Sequence, residues 1–177
     1  VCVSIGSDIV AITGENRILA YYGLKKLNTQ PCPGLAILKQ LAAAEKEFTI
    51  DDVVFILGPR INAAGRIEDG SHAVKLLIGE EEDDAILEQA AKLNTLNTDR
   101  KDLDRTITAQ ALDMIQSNPA MQMQKSTVVF HPEWHKGVIG IVASRLTETY
   151  YRPTVVLTES NGVVTGSARS VKGFNLY

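Results

Sequence analysis

Much of what this sequence lacks excludes whole classes of protein. No apolar run approaches the length of a membrane span, which takes about 20 residues in a helix. No basic stretch leading into an apolar core opens the chain, so nothing reads as a secretory leader. The only two cysteines, Cys2 and Cys32, make no metal-binding spacing and indicate no catalytic thiol. Reduced thiols in a cytoplasmic protein are the expectation. An excess of positive charge is missing too: 18 Lys and Arg stand against 21 Asp and Glu, a net charge of -3. That excludes a nucleic-acid binder working by bulk electrostatics.

What is present suffices for real cores. The 177 residues, 45% of them hydrophobic, fit one domain or two small ones. The chain starts at Val1 rather than Met, and its last residues, GFNLY, read like the start of another element, so it is expected to be a fragment. Its charge is uneven: from Lys125 onward six Lys or Arg face three Glu, against twelve and eighteen before it. A polyanion site is therefore expected in the C-terminal part, or to be local.

Residues 126 to 170 carry the densest signal. By period they read strand, loop, helix, strand, strand. Thr127 to Phe130, rich in β-branched residues, is predicted to be a buried strand. The segment from Gly137 to Tyr150 puts Ile139, Val142, Ala143 and Leu146 on one helical face, while Gly137 and Gly140 leave the backbone of the first turn uncovered. Bare amides at a helix start suit an anion. His131, His135 and Lys136 precede that helix. The run Thr165-Gly166-Ser167-Ala168-Arg169-Ser170 ends a strand in small hydroxyl residues around one guanidinium, a fork for phosphate oxygens beside rotatable donors. The competing reading is a small α/β layer whose Gly and Ser merely make turns.

Upstream, residues 1 to 12 are apolar except for Ser4, Gly6, Ser7 and Asp8, so Asp8 reads as a carboxylate within a buried segment that needs a partner. It is either a cap or turn aspartate or a metal ligand. Thr13 to Asn16 starts a helix through Leu27, with Ile18, Leu19, Tyr22 and Leu27 predicted inward. Pro31 and Pro33 break it, and a second helix is predicted over Gly34 to Ala44 with Leu35, Leu38, Leu41 and Ala42 inward. Thr49 is a candidate N-cap for a short helix from Asp51 to about Leu57. The stretch Gly58-Pro59-Arg60-Ile61-Asn62-Ala63-Ala64-Gly65-Arg66 follows as a tight, polar-tipped segment, whose small residues would let a nucleic-acid backbone approach. Alternatively its arginines pair with Glu68 and Asp69. Ser71 to Leu77 is a further short helix, in which His72 receives no role. The acid cluster Glu80 to Asp84 suits the first turn of a long helix to about Ser117. That helix has apolar stripes at both ends (Ile86, Ala90, Leu93; Leu103, Ile107, Ala111, Met114) and a polar middle over Asn94 to Asp102, a pattern that bridges two domains.

Together GPRINAAGR at 58 to 66, the polar-centred helix, WHKGVIGIVASRL at 134 to 146 and GSARS at 166 to 170 resemble the RecJ-type single-stranded-DNA exonucleases of the DHH/DHHA1 phosphoesterase superfamily, over nearly the whole chain. The resemblance implies an α/β fold: the helical tail of a DHH catalytic domain over 1–80, a bridging helix over 81–118, and a small DHHA1 substrate-binding domain over 119–177. It implies 5′-to-3′ hydrolysis of single-stranded DNA in repair and recombination by a two-metal mechanism with Mn²⁺ or Mg²⁺, and helicase and single-strand-binding-protein partners of the parent protein. Asp8, in SIGSDIV, matches the family's last metal-binding aspartate. Ser167 and Arg169 match the residues that hold substrate phosphate, with Ser170 beside them. Arg60, Asn62 and Arg66 match a substrate-facing loop, and His135 and Lys136 sit where the Gly-rich helix start faces nucleic acid. The DHH signature and its Asp-rich companions are absent, so the chain alone is expected to be inactive. Two other readings remain: a small-substrate phosphodiesterase of the same superfamily, acting on oligoribonucleotides or cyclic dinucleotides, against which GPRINAAGR and the long helix speak, and a non-catalytic nucleic-acid-binding module.

Overall fold

A glycine decides which side of each early helix faces inward. The computed structural model describes residues 1–42, 47–79 and 84–176, which divide into two units, Val1–Thr98 and Asp99–Tyr177. The first unit opens with helices α1 (Cys2–Ser7), α2 (Gly14–Thr29) and α3 (Pro33–Leu41). In α2 the buried residues are Ala20 and Leu27, while Ile18, Leu19 and Tyr22, expected inward with Leu27, are exposed. The reason is close approach: a side chain at Gly23 would collide with Cys2, so α1 packs on the small-residue side of α2 and the large side chains turn out. Ile18, Tyr21 and Tyr22 line an open apolar groove with Ile12 and Ile50. In α3 the inward set is Gly34, Ile37 and Leu38 rather than one including Leu41, because Gly34 lies against the backbone of Leu76. The predicted end of this helix at Ala44 falls outside the described residues.

Thr49 does cap the next helix, α4 (Ile50–Asp52). Its Oγ1 accepts from the Asp52 amide at 3.3 Å and its own amide donates to Asp52 Oδ2 at 2.7 Å, a capping box. The chain then continues without a break through a π-helical turn, Val53–Leu57, into α5 (Gly58–Ile67). GPRINAAGR is therefore helical, where the resemblance implied a substrate-facing loop. Pro59 follows directly on the π-helical turn inside this continuous run and donates no bond to the preceding turn. Helix α6 (Ser71–Ile78) follows, started by Asp69, whose Oδ1 accepts from the Ser71 amide at 3.0 Å. Leu38, Val53, Leu57, Leu76, Leu93 and Leu96 centre the core of this unit.

One helix, α7 (Asp84–Gln116), contributes to both units. Its 33 residues span about 50 Å. The acids at 80–83 expected to begin it lie outside the described residues. Its apolar stripes are buried at Ile86, Ala90 and Leu93 and again at Ile107, Ala111 and Ile115. The middle is less wet than its composition suggests, since Leu96 and Asn97 are buried as well.

In the second unit, Asn118 caps the single-turn helix α8 (Pro119–Gln122). Strands β1 (Thr127–Phe130) and β2 (Thr154–Ser160) pair in parallel and β3 (Val163–Arg169) pairs antiparallel with β2, in the order β1-β2-β3. Parallel β1 and β2 require a crossover, which α9 (Ile139–Tyr150) supplies, packing on β2 and β3 with Ile139, Val142, Ala143 and Leu146 buried as predicted. As an edge strand, β1 is only half-buried: Thr127 and Val129 face in, Val128 and Phe130 out. Asn161 and Gly162, at φ 55° and 73°, join β2 to β3, two positive values that suit a tight hairpin turn.

Candidate nucleic-acid interface

Alternation along β3 fixes the first group of site residues. Ser167 pairs with Val156 and Arg169 with Thr154, so both project from the same face of the strand as the buried side of β2. That face meets the first turn of α9. A Cβ added to Gly140 would stand 3.1 Å from Ser167 Oγ and 3.3 Å from Arg169 Nη2. Gly140 is thus the position that lets the hydroxyl and guanidinium lie directly on helical backbone. Arg169 Nη1 donates to Ser167 Oγ at 3.0 Å and to the Ala168 carbonyl at 2.8 Å, and among the described residues no carboxylate pairs with it. An exposed guanidinium at the positive end of a helix, held by neutral oxygens, keeps its charge available to an anion.

His135 sits at the same helix start. Its carbonyl accepts from the Val138 and Ile139 amides at 2.9 and 3.2 Å, and its Nδ1 accepts from the Gly137 amide at 3.2 Å. Lys136 follows, exposed. The loop carrying them is pinned: Thr158 Oγ1 donates to the Trp134 carbonyl at 2.6 Å, Trp134 Nε1 donates to Gln110 Oε1 at 2.8 Å, and the His131 ring stacks on Trp134. Ser170 is engaged elsewhere, its Oγ donating to the Phe174 carbonyl at 2.7 Å in the turn after β3.

The upstream group is looser. Asp8 follows the end of α1 and is exposed, so it does not need the buried partner its apolar neighbours suggested. It lines a pocket of about 400 Å³ with Ser4, Ser7 and Asn62. Arg60 and Arg66 are not among the residues lining that pocket. Arg60 is half-buried, its Nε donating to Asn94 Oδ1 at 3.2 Å and its Nη1 to the Ile56 carbonyl at 2.8 Å. Burial pushes its pKa below the ordinary arginine value, yet a guanidinium stays charged. Of the acids expected as local partners, Glu68 pairs with Lys92 at 2.6 Å, and Asp69 accepts from the Ser71 amide at the start of α6. Arg66 is exposed on the last turn of α5. Among the described residues no group of three or more His, Cys, Asp or Glu side chains could hold a metal ion. These residues do not by themselves make a two-cation centre, which needs several hard oxygen or imidazole ligands around ions about 4 Å apart.

Two arginines escaped the sequence reading. Arg152 is buried and donates from Nε to Thr127 Oγ1 at 2.8 Å and from its terminal nitrogens to the carbonyls of Met121, Gln122 and Gln124, tying α8 to the sheet. Arg145 makes a two-pronged bond with buried Asp104, Nε to Oδ1 at 2.9 Å and Nη2 to Oδ2 at 2.8 Å. Those hydrogen bonds raise the Arg145 pKa above its ordinary value. Both pairings span many residues in sequence, and only the isolated acid on an otherwise apolar stripe of α7 hinted at the second.

Residues 121–177 match the DHHA1 domain family. Over 175 residues, 96% of its length, the chain is 37% identical to the single-stranded-DNA-specific exonuclease RecJ of Haemophilus influenzae, and over 174 residues 39% identical to that of Bacillus subtilis. It spans 30% and 22% of those proteins, under a third of each. Among solved structures it resembles RecJ of Thermus thermophilus in complex with Mg²⁺, with TM-score 0.85 and 29% identity over 99% of this chain and 26% of that one. It also resembles an exonuclease RecJ bound to manganese, with TM-score 0.83 and 28% identity over 99% of this chain and 42% of that one.

Proposed function

We infer that this chain, which carries a DHHA1 domain and is homologous over nearly its whole length to a segment of the RecJ single-stranded-DNA-specific exonucleases, supplies the strand-holding part of such an enzyme. The observation that carries the reading is the contact of Ser167 and Arg169 with the first turn of α9 at Gly140. A fork and a hydroxyl converge at the start of α9, where a phosphate oxygen could accept from both in the favourable field of the helix's positive end. His135 and Lys136, at the same helix start, extend the polar surface. Asp8 and Asn62, across one pocket, are the chain's contribution to the hydrolytic side. In the parent protein Asp8 joins further ligands in a Mn²⁺ or Mg²⁺ centre that activates water for phosphodiester cleavage, in DNA repair and recombination in the cytoplasm. Arg60 and Arg66 then lie along the strand's path on α5. No residue of this chain is assigned to helicase or single-strand-binding-protein partners.

The test is equilibrium binding of the purified chain to single-stranded oligothymidylate and to a duplex of equal length, read by fluorescence anisotropy at two salt concentrations. The single strand is expected to bind more tightly, and to weaken as salt rises because counterions are released. Tighter binding of the duplex would overturn the single-strand reading. Failure to bind either would overturn the nucleic-acid reading.

A further inference from the structure

A second basic surface lies in the unit Asp99–Tyr177, away from Ser167 and Arg169. An open groove of about 490 Å³ runs between α7 and α9, lined by Arg100, Lys101, Asp104, Arg105, Leu112 and Arg145 together with the small residues Thr108 and Ala109. The lining positions on α7 recur at three- and four-residue steps, which makes them one face of the helix. Four basic side chains meet there with a single carboxylate. That carboxylate is already committed, because Asp104 is buried and both of its oxygens are bonded to Arg145. The pairing uses one edge of the guanidinium, and 55% of the Arg145 side chain stays exposed. Asp104 therefore positions Arg145 at the groove rather than cancelling the field of Lys101 and Arg105. The acids on the rim are weakly engaged: Asp102 stands 3.8 Å from Arg105, whose side chain is 83% exposed, and Glu148 lies near Arg145. Exposed contacts of that kind contribute little.

This groove is not an extension of the Gly140 contact. Arg145 follows Gly140 by five residues on α9, roughly 140° around the helix and about 7.5 Å along it, so the two face different directions.

We propose that the groove between α7 and α9 is a second phosphate-binding surface, which takes the sugar-phosphate backbone of single-stranded nucleic acid without regard to sequence. The proposal rests on the nucleic-acid reading above. Cations spread over more than one turn of α7, faced by Arg145 on α9, match a repeating anion better than one isolated phosphate. The lining has no aromatic ring on which a base could stack, so the contacts are to backbone, and affinity must be strongly salt-dependent.

The experiment uses the complete 177-residue chain and labelled single-stranded oligothymidylate. Binding is titrated over a range of salt for the unaltered chain, for the double variant Lys101→Gln and Arg105→Gln, and for Arg169→Ala. Lys101 and Arg105 are exposed, so folding is expected to survive, and thermal unfolding verifies it. The double variant is expected to bind on the order of tenfold more weakly, and its log-affinity against log-salt slope to fall by about 1.4, roughly 0.7 for each lost cation. An oligonucleotide of another base composition should give the same loss. If the double variant keeps the unaltered affinity and slope while Arg169→Ala weakens binding, the groove is not a site, and the function proposed for Ser167 and Arg169 stands. If the unaltered chain binds no oligothymidylate, both proposals fall together. Displacement of the bound oligonucleotide by polyglutamate at equal charge concentration, lost in the double variant, would overturn the assignment to nucleic acid in favour of acidic protein.

Discussion

Arg152 precedes β2 and Arg169 ends β3, and what surrounds each assigns it an opposite task. Arg152 is buried and bonded to a hydroxyl and three backbone carbonyls, with the Tyr150 ring 5.0 Å from its guanidinium carbon. Removing it would leave buried Thr127 Oγ1 and three part-buried carbonyls without their donor, so Arg152→Ala is expected to destabilise the chain by about 1.5 to 3 kcal/mol. Urea unfolding checks this, and a loss within about 0.5 kcal/mol, typical of an inert surface site, would show that water replaces the guanidinium. Arg169 is exposed and held only by Ser167 Oγ and its neighbour's carbonyl. Arg169→Ala is therefore expected to leave the unfolding midpoint nearly unchanged while weakening oligothymidylate binding about tenfold to a hundredfold, the equivalent of one charge-assisted contact. Arg169→Lys should restore only part, since an ammonium has no two-pronged edge. An early-melting Arg169→Ala with unaltered affinity would exchange the roles of the two arginines.

Elements here are oriented by glycines as much as by apolar stripes, and Gly34 gives the sharpest test. A methyl group there would run into the Leu76 carbonyl and side chain where α3 meets α6. Gly34→Ala is expected to cost about 3 kcal/mol or more, the upper end of overpacking, because backbone rather than a flexible side chain is in the way. A lowered urea midpoint at constant m-value is the signature; an unchanged midpoint would mean that α3 and α6 separate without penalty. The same feature marks where sequence reading succeeds. Helix α9, strands β2 and β3 and the Thr49 cap were legible because each announces itself locally, by a 3.6-residue stripe, by β-branched runs, or by a hydroxyl three residues before an acid. The inward faces of α2 and α3 were not legible, since Gly23 and Gly34 admit neighbouring backbone and override the larger apolar side chains. Nor was α5, which continues the π-helical turn at Val53–Leu57 without a break although GPRINAAGR reads as a separate tight segment. Among site residues, Ser167, Arg169 and Gly140 were visible as types, but only the packing of β3 on α9 brings them together.

At the scale of the whole molecule, the two units carry different chemical groups. The second has cations, hydroxyls and a helix start for holding a phosphate. The first has Asp8, exposed at the end of α1, with Asn62 across a pocket. Phosphodiester hydrolysis by paired cations needs several ligands, because one carboxylate neither binds an ion tightly nor sets a second beside it. Among the described residues no cluster of three or more His, Cys, Asp or Glu exists to do so. Holding and cutting should therefore separate in this chain: it is expected to bind oligothymidylate and to leave it intact with Mn²⁺ or Mg²⁺ at any time that leaves the protein folded. Titration calorimetry with Mn²⁺ should show no tight binding, and Asp8→Ala should change neither metal nor oligonucleotide affinity measurably. A contaminating nuclease could mimic activity, so the decisive comparison is between purified unaltered chain and Asp8→Ala. Cleavage by the first and not by the second would mean that these 177 residues assemble a complete centre around Asp8, and that the division of labour between the units is wrong.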